Sequence, residues 1–237
     1  MTSKEPQRTK IAEFIGYHRH GSGETLDQEL EKIEKDGVRQ PFQRVRRVLL
    51  HGLVGQRKPS NAENVVMTGC AFIGMPVQMH ACFKLLDSLG GDYTYLRDIE
   101  YCCAWPSVES WDGAEGDRAM AASREFMEKN LVQAREKHGK NMLHFCQWCA
   151  YLGKWHFPTS DVKQMYYLDV VVDRIKGRTL KVKPTVIAYY EGCHRRQQHI
   201  TPGIELDWEA YRRILDSVEG LQVVDLPTRV CCTGGAS

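Results

Sequence analysis

The residues whose types and spacing could do chemistry are thiols. Nine cysteines stand in 237 residues, and five of them run Cys70, a gap of 31, Cys102-Cys103, a gap of 42, then Cys146-Gln147-Trp148-Cys149. A Cys-x-x-Cys segment lets two sulfurs reach one metal site. Five thiolates are one more than a tetrahedral zinc or an ordinary cubane needs. Adjacent cysteines are also poorly shaped to chelate one small ion, whereas neighbouring thiolates can bind different irons of a larger, open cluster. The set points to a multi-iron redox site, with zinc as the alternative. A thioredoxin-like pair would sit in a different βα context and would need no remote Cys-Cys. Cys82 falls on an apolar helix face and reads as a core residue.

Positioning such a set requires strand ends that converge. Val65–Thr68, Tyr93–Ile99, Met142–Phe145, Val186–Tyr190 and Leu221–Leu226 read as short buried strands between segments of helical periodicity. Met79, Cys82, Phe83, Leu86 and Leu89 make one apolar helix face. Ala114 to His138 reads as a long polar helix with Met120, Phe126, Met127 and Leu131 inward, closed by Gly139. The alternation implies an α/β fold with mainly parallel strands. Ligands of such sheets bind beyond the carboxyl ends of the strands, where Cys70, Cys102-Cys103 and Cys146 would all fall.

The chain also repeats itself. Residues 65–105 and 186–235 share a plan: an apolar run ending in Gly-Cys (Gly69-Cys70, Gly192-Cys193), a helical stretch, then a strand ending in Cys-Cys. Leu86-Asp87-Ser88 puts Asp87 15 positions before Cys102, and Leu215-Asp216-Ser217 puts Asp216 15 positions before Cys231. The longer gap after Cys193 is assigned to the loop holding Thr201-Pro202-Gly203. Two related half-units are expected. The divisions are 1–60, an N-terminal basic and helical arm; 61–182, the first cysteine-rich unit; and 183–237, a second, incomplete one.

At these residues the chain resembles the cysteine-rich CCG domain family, whose best-known member is the B subunit of heterodisulfide reductase. The family pattern is a cysteine, a gap of thirty-odd residues, Cys-Cys-Gly, a similar gap and Cys-x-x-Cys, usually in two copies. The order matches over 64–237, although Ala104 and Thr233 stand where the family has glycine. The resemblance implies a noncubane [4Fe-4S] cluster on Cys70, Cys102, Cys103, Cys146 and Cys149, in an oxidoreductase subunit acting on a small-molecule disulfide or thiol. The second copy offers Cys193, Cys231 and Cys232 as a possible second site, without a Cys-x-x-Cys before Ser237. Flavin-bearing or ferredoxin-type iron–sulfur subunits are the implied partners, since the chain has no Gly-x-Gly-x-x-Gly turn of its own. From another class, the competing reading is a non-catalytic scaffold whose zinc or degenerate site holds the fold for protein–protein contact.

Charge and hydropathy bound the rest. With 32 basic and 30 acidic residues and a mean hydropathy of -0.44, the whole chain carries no nucleic-acid footprint. No stretch approaches a membrane span, and Met1-Thr-Ser-Lys-Glu-Pro-Gln-Arg8 lacks the apolar core of a signal peptide. A cytoplasmic location is expected, possible peripheral attachment to a membrane complex coming through partners. The odd cysteine count argues against a secreted disulfide framework. Residues 1–60 carry 12 basic against 8 acidic residues. There Thr25-x-x-Gln28 opens a helix with Leu26, Leu30 and Ile33 on one face, and Arg44-Val-Arg-Arg47 precedes Val48-Leu49-Leu50. This arm either covers the chain's own core or grips a partner subunit. His144, His156 and His194 are candidate acids or substitute ligands beside core roles. Trp105, Trp148 and Trp155 are candidate shields against water. Thr233-Gly234-Gly235 is a candidate anion nest or a simple turn.

Overall fold

The computed structural model describes residues 24–38, 48–50, 52, 59–73, 75–96, 99–189 and 201–226. Cys193, Cys231, Cys232, His194, Arg44–Arg47 and Thr233–Gly235 lie outside the described residues.

Buried runs at the centre, Val65–Met67 and Met142–His144, make the two inner strands of the main sheet, and shorter or more polar segments make its edges. These are β1 (Asn64–Met67), β2 (Thr94–Tyr95), β3 (Asn141–His144) and β4 (Lys163–Tyr166), in the order β2-β1-β3-β4. Every pairing is parallel, with Val65 opposite Thr94 and Met142, and Leu143 opposite Met165. A parallel sheet is stable when both faces are covered, and both are. On one face Val66, Leu143 and Phe145 pack with Met79, Cys82, Phe83 and Leu86 of α3 (Pro76–Ser88), which follows the short α2 (Cys70–Ile73). On the other, Val65, Met67 and Met142 pack with Met127, Leu131 and Ala134 of α5 (Gly113–Glu136) and with Ala150, Tyr151 and Leu152 of α6 (Gln147–His156). The sheet is the middle layer of an α/β/α arrangement.

Several elements depart from the sequence reading. β2 is only two residues long. β4 had no apolar run to mark it: Lys163 is exposed, and Gln164 is buried because its side chain meets His144. Helix α5 ends at Glu136, where His138 (φ 58) takes the left-handed conformation expected of Gly139. Gly139 is needed for space instead, since a Cβ there would stand 2.6 Å from Val65 Cγ2 and 2.9 Å from the Ala134 carbonyl. The arm's helix α1 (Leu26–Asp36) begins with the expected capping box of Thr25 and Gln28. It covers the chain's own core: Leu26 and Ile33 are buried, and Glu34 and Asp27 pair with Lys129 and Arg118 of α5.

After α4 (Trp105–Ser110) and α7 (Tyr167–Ile175), both on the main sheet's side, comes a separate parallel pair. β5 (Leu180–Tyr189) and β6 (Val218–Asp225) are joined through α8 (Trp208–Asp216), with Ile187 opposite Val223 and Ala188 opposite Val224. The expected division at 182/183 falls inside β5. Helix α8 docks on the first unit, where Trp208 Nε1 donates to the Tyr151 hydroxyl at 3.3 Å and Tyr211 bonds to Asp169. Outward-facing Val186 of the pair is 65% exposed. The triplets Leu86-Asp87-Ser88 and Leu215-Asp216-Ser217 both close helices. Each serine hydroxyl donates to the carbonyl three residues back, Ser88 to Leu85 at 2.7 Å and Ser217 to Ile214 at 2.8 Å.

Candidate functional site

Because β2, β1 and β3 are adjacent and parallel, the segments that leave them emerge at one edge of the sheet. Cys70 follows β1 after Gly69, Cys102 and Cys103 follow β2, and Cys146 follows β3 as the residue capping α6, with Cys149 in that helix's first turn. The thiols meet in a ring of neighbours. Cys70 and Cys102 have sulfurs 3.3 Å apart. Cys102 contacts Cys103, Cys103 contacts Cys149, and Cys149 contacts Cys146, whose charge in turn reaches Cys70. All five are free thiols; Cys102, Cys103 and Cys149 are buried, whereas Cys70 and Cys146 are half-buried.

The close approach depends on glycine. Gly69 has φ 80, and a Cβ there would lie 2.6 Å from Cys146 Cβ and 3.4 Å from Cys149 Sγ. A side chain at this position would drive the β1 and β3 ends apart.

The loop carrying Cys102 and Cys103 is fastened by residues that no motif announces. Buried Glu100 accepts from the backbone N–H of Gly69 at 2.6 Å and of Thr68 at 2.8 Å, and from the Thr68 hydroxyl at 3.0 Å. One carboxylate thus ties the end of β1 to the loop. Helix α5 holds the same loop along one face. Asn130 accepts from Tyr101 N at 2.8 Å and donates to Tyr101 O at 2.7 Å, Gln133 donates to Ile99 O, and Ser123 donates to Cys103 O at 2.8 Å. From α1, Gly37 O accepts from Cys102 N at 2.6 Å. Sequence reading passed over Glu100, Ser123 and Asn130. Their signal was a polar residue at a position that helix or strand periodicity would bury, which is legible only once the periodicity is fixed.

Mutual hydrogen bonding sorts the thiols. The contact with Cys102, then burial, holds the Cys70 thiol well above its usual range, and the Cys103 contact does the same to Cys102. Cys149 is raised by its bonds to Cys103 and Cys146. Cys103, which accepts from Cys102 and Cys149, is lowered to about 6, and Cys146 is lowered by Cys149 and by backbone N–H groups of the α6 terminus. Where protons leave first, charge would collect on Cys103 and Cys146.

Trp105 and Trp148 stack at 3.2 Å between centroids and 9° between planes, in the same core as Cys103 and Cys149. Trp155 is 38% exposed. Of the candidate histidines, His144 and His156 are described, and each hydrogen-bonds another side chain. His144 bonds Gln164 through Nε2 at 2.8 Å, leaving a buried Nδ1 with no partner. His156 bonds the Ser123 hydroxyl at 2.9 Å and so stands behind the Cys103 carbonyl. Burial pushes both imidazoles down to about 4. Cys82 sits in the α3 core.

The donor set of five thiols suits a soft, multi-iron group, and the neighbouring Cys102 and Cys103 reach different partners, Cys70 and Cys149. Among the described residues no group of three or more His, Cys, Asp or Glu stands ready around a single ion. Two sulfurs on one tetrahedral ion lie about 3.8 Å apart, given metal–sulfur bonds of about 2.3 Å, against 3.3 Å for Cys70 and Cys102. Also among the described residues, no helix is long and apolar enough to cross a membrane. Compared with family models, curated proteins and solved structures, the chain matches none.

Proposed function

We propose that the chain is an iron–sulfur redox subunit of the heterodisulfide reductase type, related to the cysteine-rich CCG family and working in thiol/disulfide chemistry or electron transfer. The observation that carries this reading is the convergence of five free thiols, distant in sequence, at one edge of a parallel sheet. Cys70, Cys102, Cys103, Cys146 and Cys149 would hold a noncubane [4Fe-4S] cluster. Such a cluster supplies one-electron chemistry at a site where substrate sulfur can bind iron. The protein's own residues do the remaining work. Glu100, Asn130 and Ser123 fix the Cys102-Cys103 loop, Trp105 and Trp148 keep water from the inner side, and half-buried Cys70 and Cys146 mark the side open to a substrate.

Family kinship and internal duplication draw support from two details. Ala104, at the family's glycine position, has φ 53, a conformation glycine adopts freely. β1-α3-β2 and β5-α8-β6 are both parallel pairs joined through a helix, and their Leu-Asp-Ser triplets end that helix with the same serine bond. The half-units would descend from one β-α-β plan, the second carrying Cys193, Cys231 and Cys232. Flavin-bearing or ferredoxin-type partner subunits would deliver electrons, and the setting would be cytoplasmic.

The test is a serine series in anaerobically prepared protein. Replacing Cys70, Cys102, Cys103, Cys146 or Cys149 should each abolish most bound iron and sulfide, whereas Cys82→Ser should leave both unchanged. Iron retained in Cys102→Ser and Cys103→Ser alike would sink the proposal.

A further inference from the structure

Cys70 and Cys102 are placed to react with each other as well as to bind metal. Their sulfurs are 3.3 Å apart, so a disulfide of about 2.05 Å requires them to close by roughly 1.3 Å. Access is asymmetric, with Cys70 half-buried and Cys102 buried behind it. Both are anchored on one side chain: Glu100 lies two residues before Cys102 and accepts from the backbone of Thr68 and Gly69, immediately before Cys70. A pair held this way resolves an attached thiol adduct intramolecularly, ahead of any second molecule from solution.

We infer that the metal-free chain has a redox-active dithiol, Cys70 and Cys102, which exchanges with small-molecule disulfides. In the first step Cys70, the half-buried one of the two and so the one a disulfide reaches, gives its proton to solvent against the contact that holds its thiol well above the usual range, and attacks one sulfur of RSSR, forming Cys70–S–SR and releasing RS⁻. In the second, Cys102, having lost its proton to solvent, attacks the Cys70 sulfur and expels the second RS⁻. The two protein thiols are oxidised by two electrons, and RSSR is reduced to two RSH. Two consequences follow. Oxidation removes two of the five thiols that the proposed cluster would need, so, on that reading, the bond gates metal loading by the thiol redox state. The exchange itself requires no metal and stands or falls separately from the cluster.

The experiment takes the full chain, reduced and freed of metal with a chelator, and treats it with glutathione disulfide under argon. Remaining thiols are alkylated and peptides mapped by mass spectrometry. The expected result is loss of two of the nine thiols, a Cys70–Cys102 cross-link, no retained glutathione, and full reversal by dithiothreitol. In Cys102→Ser, glutathione should stay on Cys70. A first bond between Cys146 and Cys149, a lasting glutathione adduct on wild-type Cys70, or Cys70 left alkylatable would each overturn the inference. The wild-type map decides the matter even where the variant fails to fold. Iron is measured on untreated protein, so a chain that binds no iron yet forms this bond would refute the cluster and leave the dithiol standing.

Discussion

Replacing Glu100 with glutamine changes one atom and should still cost much of the fold's stability. The two carboxylate oxygens accept separate backbone N–H groups, Gly69 at 2.6 Å on Oε1 and Thr68 at 2.8 Å on Oε2. An amide can accept at one side only, and its NH2 then faces a donor. A hydrogen bond to a charged group contributes about 1.5–3 kcal/mol, and an orphaned buried donor costs about 1–3 kcal/mol. Together these give roughly 3–5 kcal/mol for E100Q. For a chain of this size, each kcal/mol lowers Tm by about 2–4 °C, so a drop on the order of 10 °C is expected. Thermal and urea denaturation of the reduced, metal-free chain measure it. Glu63→Gln is the control, because Glu63 makes an exposed ion pair with Lys140 and should change stability by less than about 1 kcal/mol. An E100Q protein as stable as that control would refute the assigned role of Glu100 as the clamp between β1 and the Cys102 loop.

Asn130→Leu removes the side chain that serves both backbone groups of Tyr101, so a loss of about 2–4 kcal/mol is expected in urea unfolding. Gly153→Ala would place a Cβ 2.7 Å from Gln164 Oε1 and 3.0 Å from His144 Nε2; overpacking there should cost about 1–3 kcal/mol, read as a lowered Tm. His144 is fully buried and its folded-state pKa lies at about 4 rather than 6.5. Its neutral form therefore contributes stability that is complete above about pH 6.5 and is lost as pH falls toward 4, by roughly 3 kcal/mol at the limit. Urea unfolding at pH 7 and 4.5 should show a shallower loss for His144→Gln than for wild type. Gly69→Ala combines a left-handed backbone with a 2.6 Å contact to Cys146 Cβ; it should lower Tm and weaken metal binding in the same protein.

What could be read in the sequence was what repeats or alternates. The apolar runs at 65–68 and 142–145 made strands because burial on both faces selects continuous apolar residues, and Thr25 with Gln28 marked a helix start through side-chain bonds local to that turn. The spacing of Cys70, Cys102-Cys103 and Cys146-Cys149 could be read as one set because parallel neighbouring strands leave their ends together, and the Cys70 and Cys102 sulfurs lie 3.3 Å apart. β4 escaped because Lys163-Gln164-Met165-Tyr166 shows no apolar run: Gln164 is buried against His144 and only Tyr166 adds a buried apolar residue to the core. Glu100, Asn130 and Ser123 escaped for a related reason: each bonds a backbone group about 20 to 32 residues away, and no local rule encodes that partner. Trp155 differed from Trp148 by its face on α6, which periodicity could have resolved had the helix boundaries been fixed.

The central claim is most directly tested by purifying the full chain without oxygen, quantifying iron, sulfide and zinc, and recording the electron paramagnetic resonance spectrum with and without added thiol or disulfide. The account predicts about four irons and as many sulfides per chain, as for a [4Fe-4S] cluster, with a signal that thiol alters. Zinc alone, or no metal at all, would contradict it.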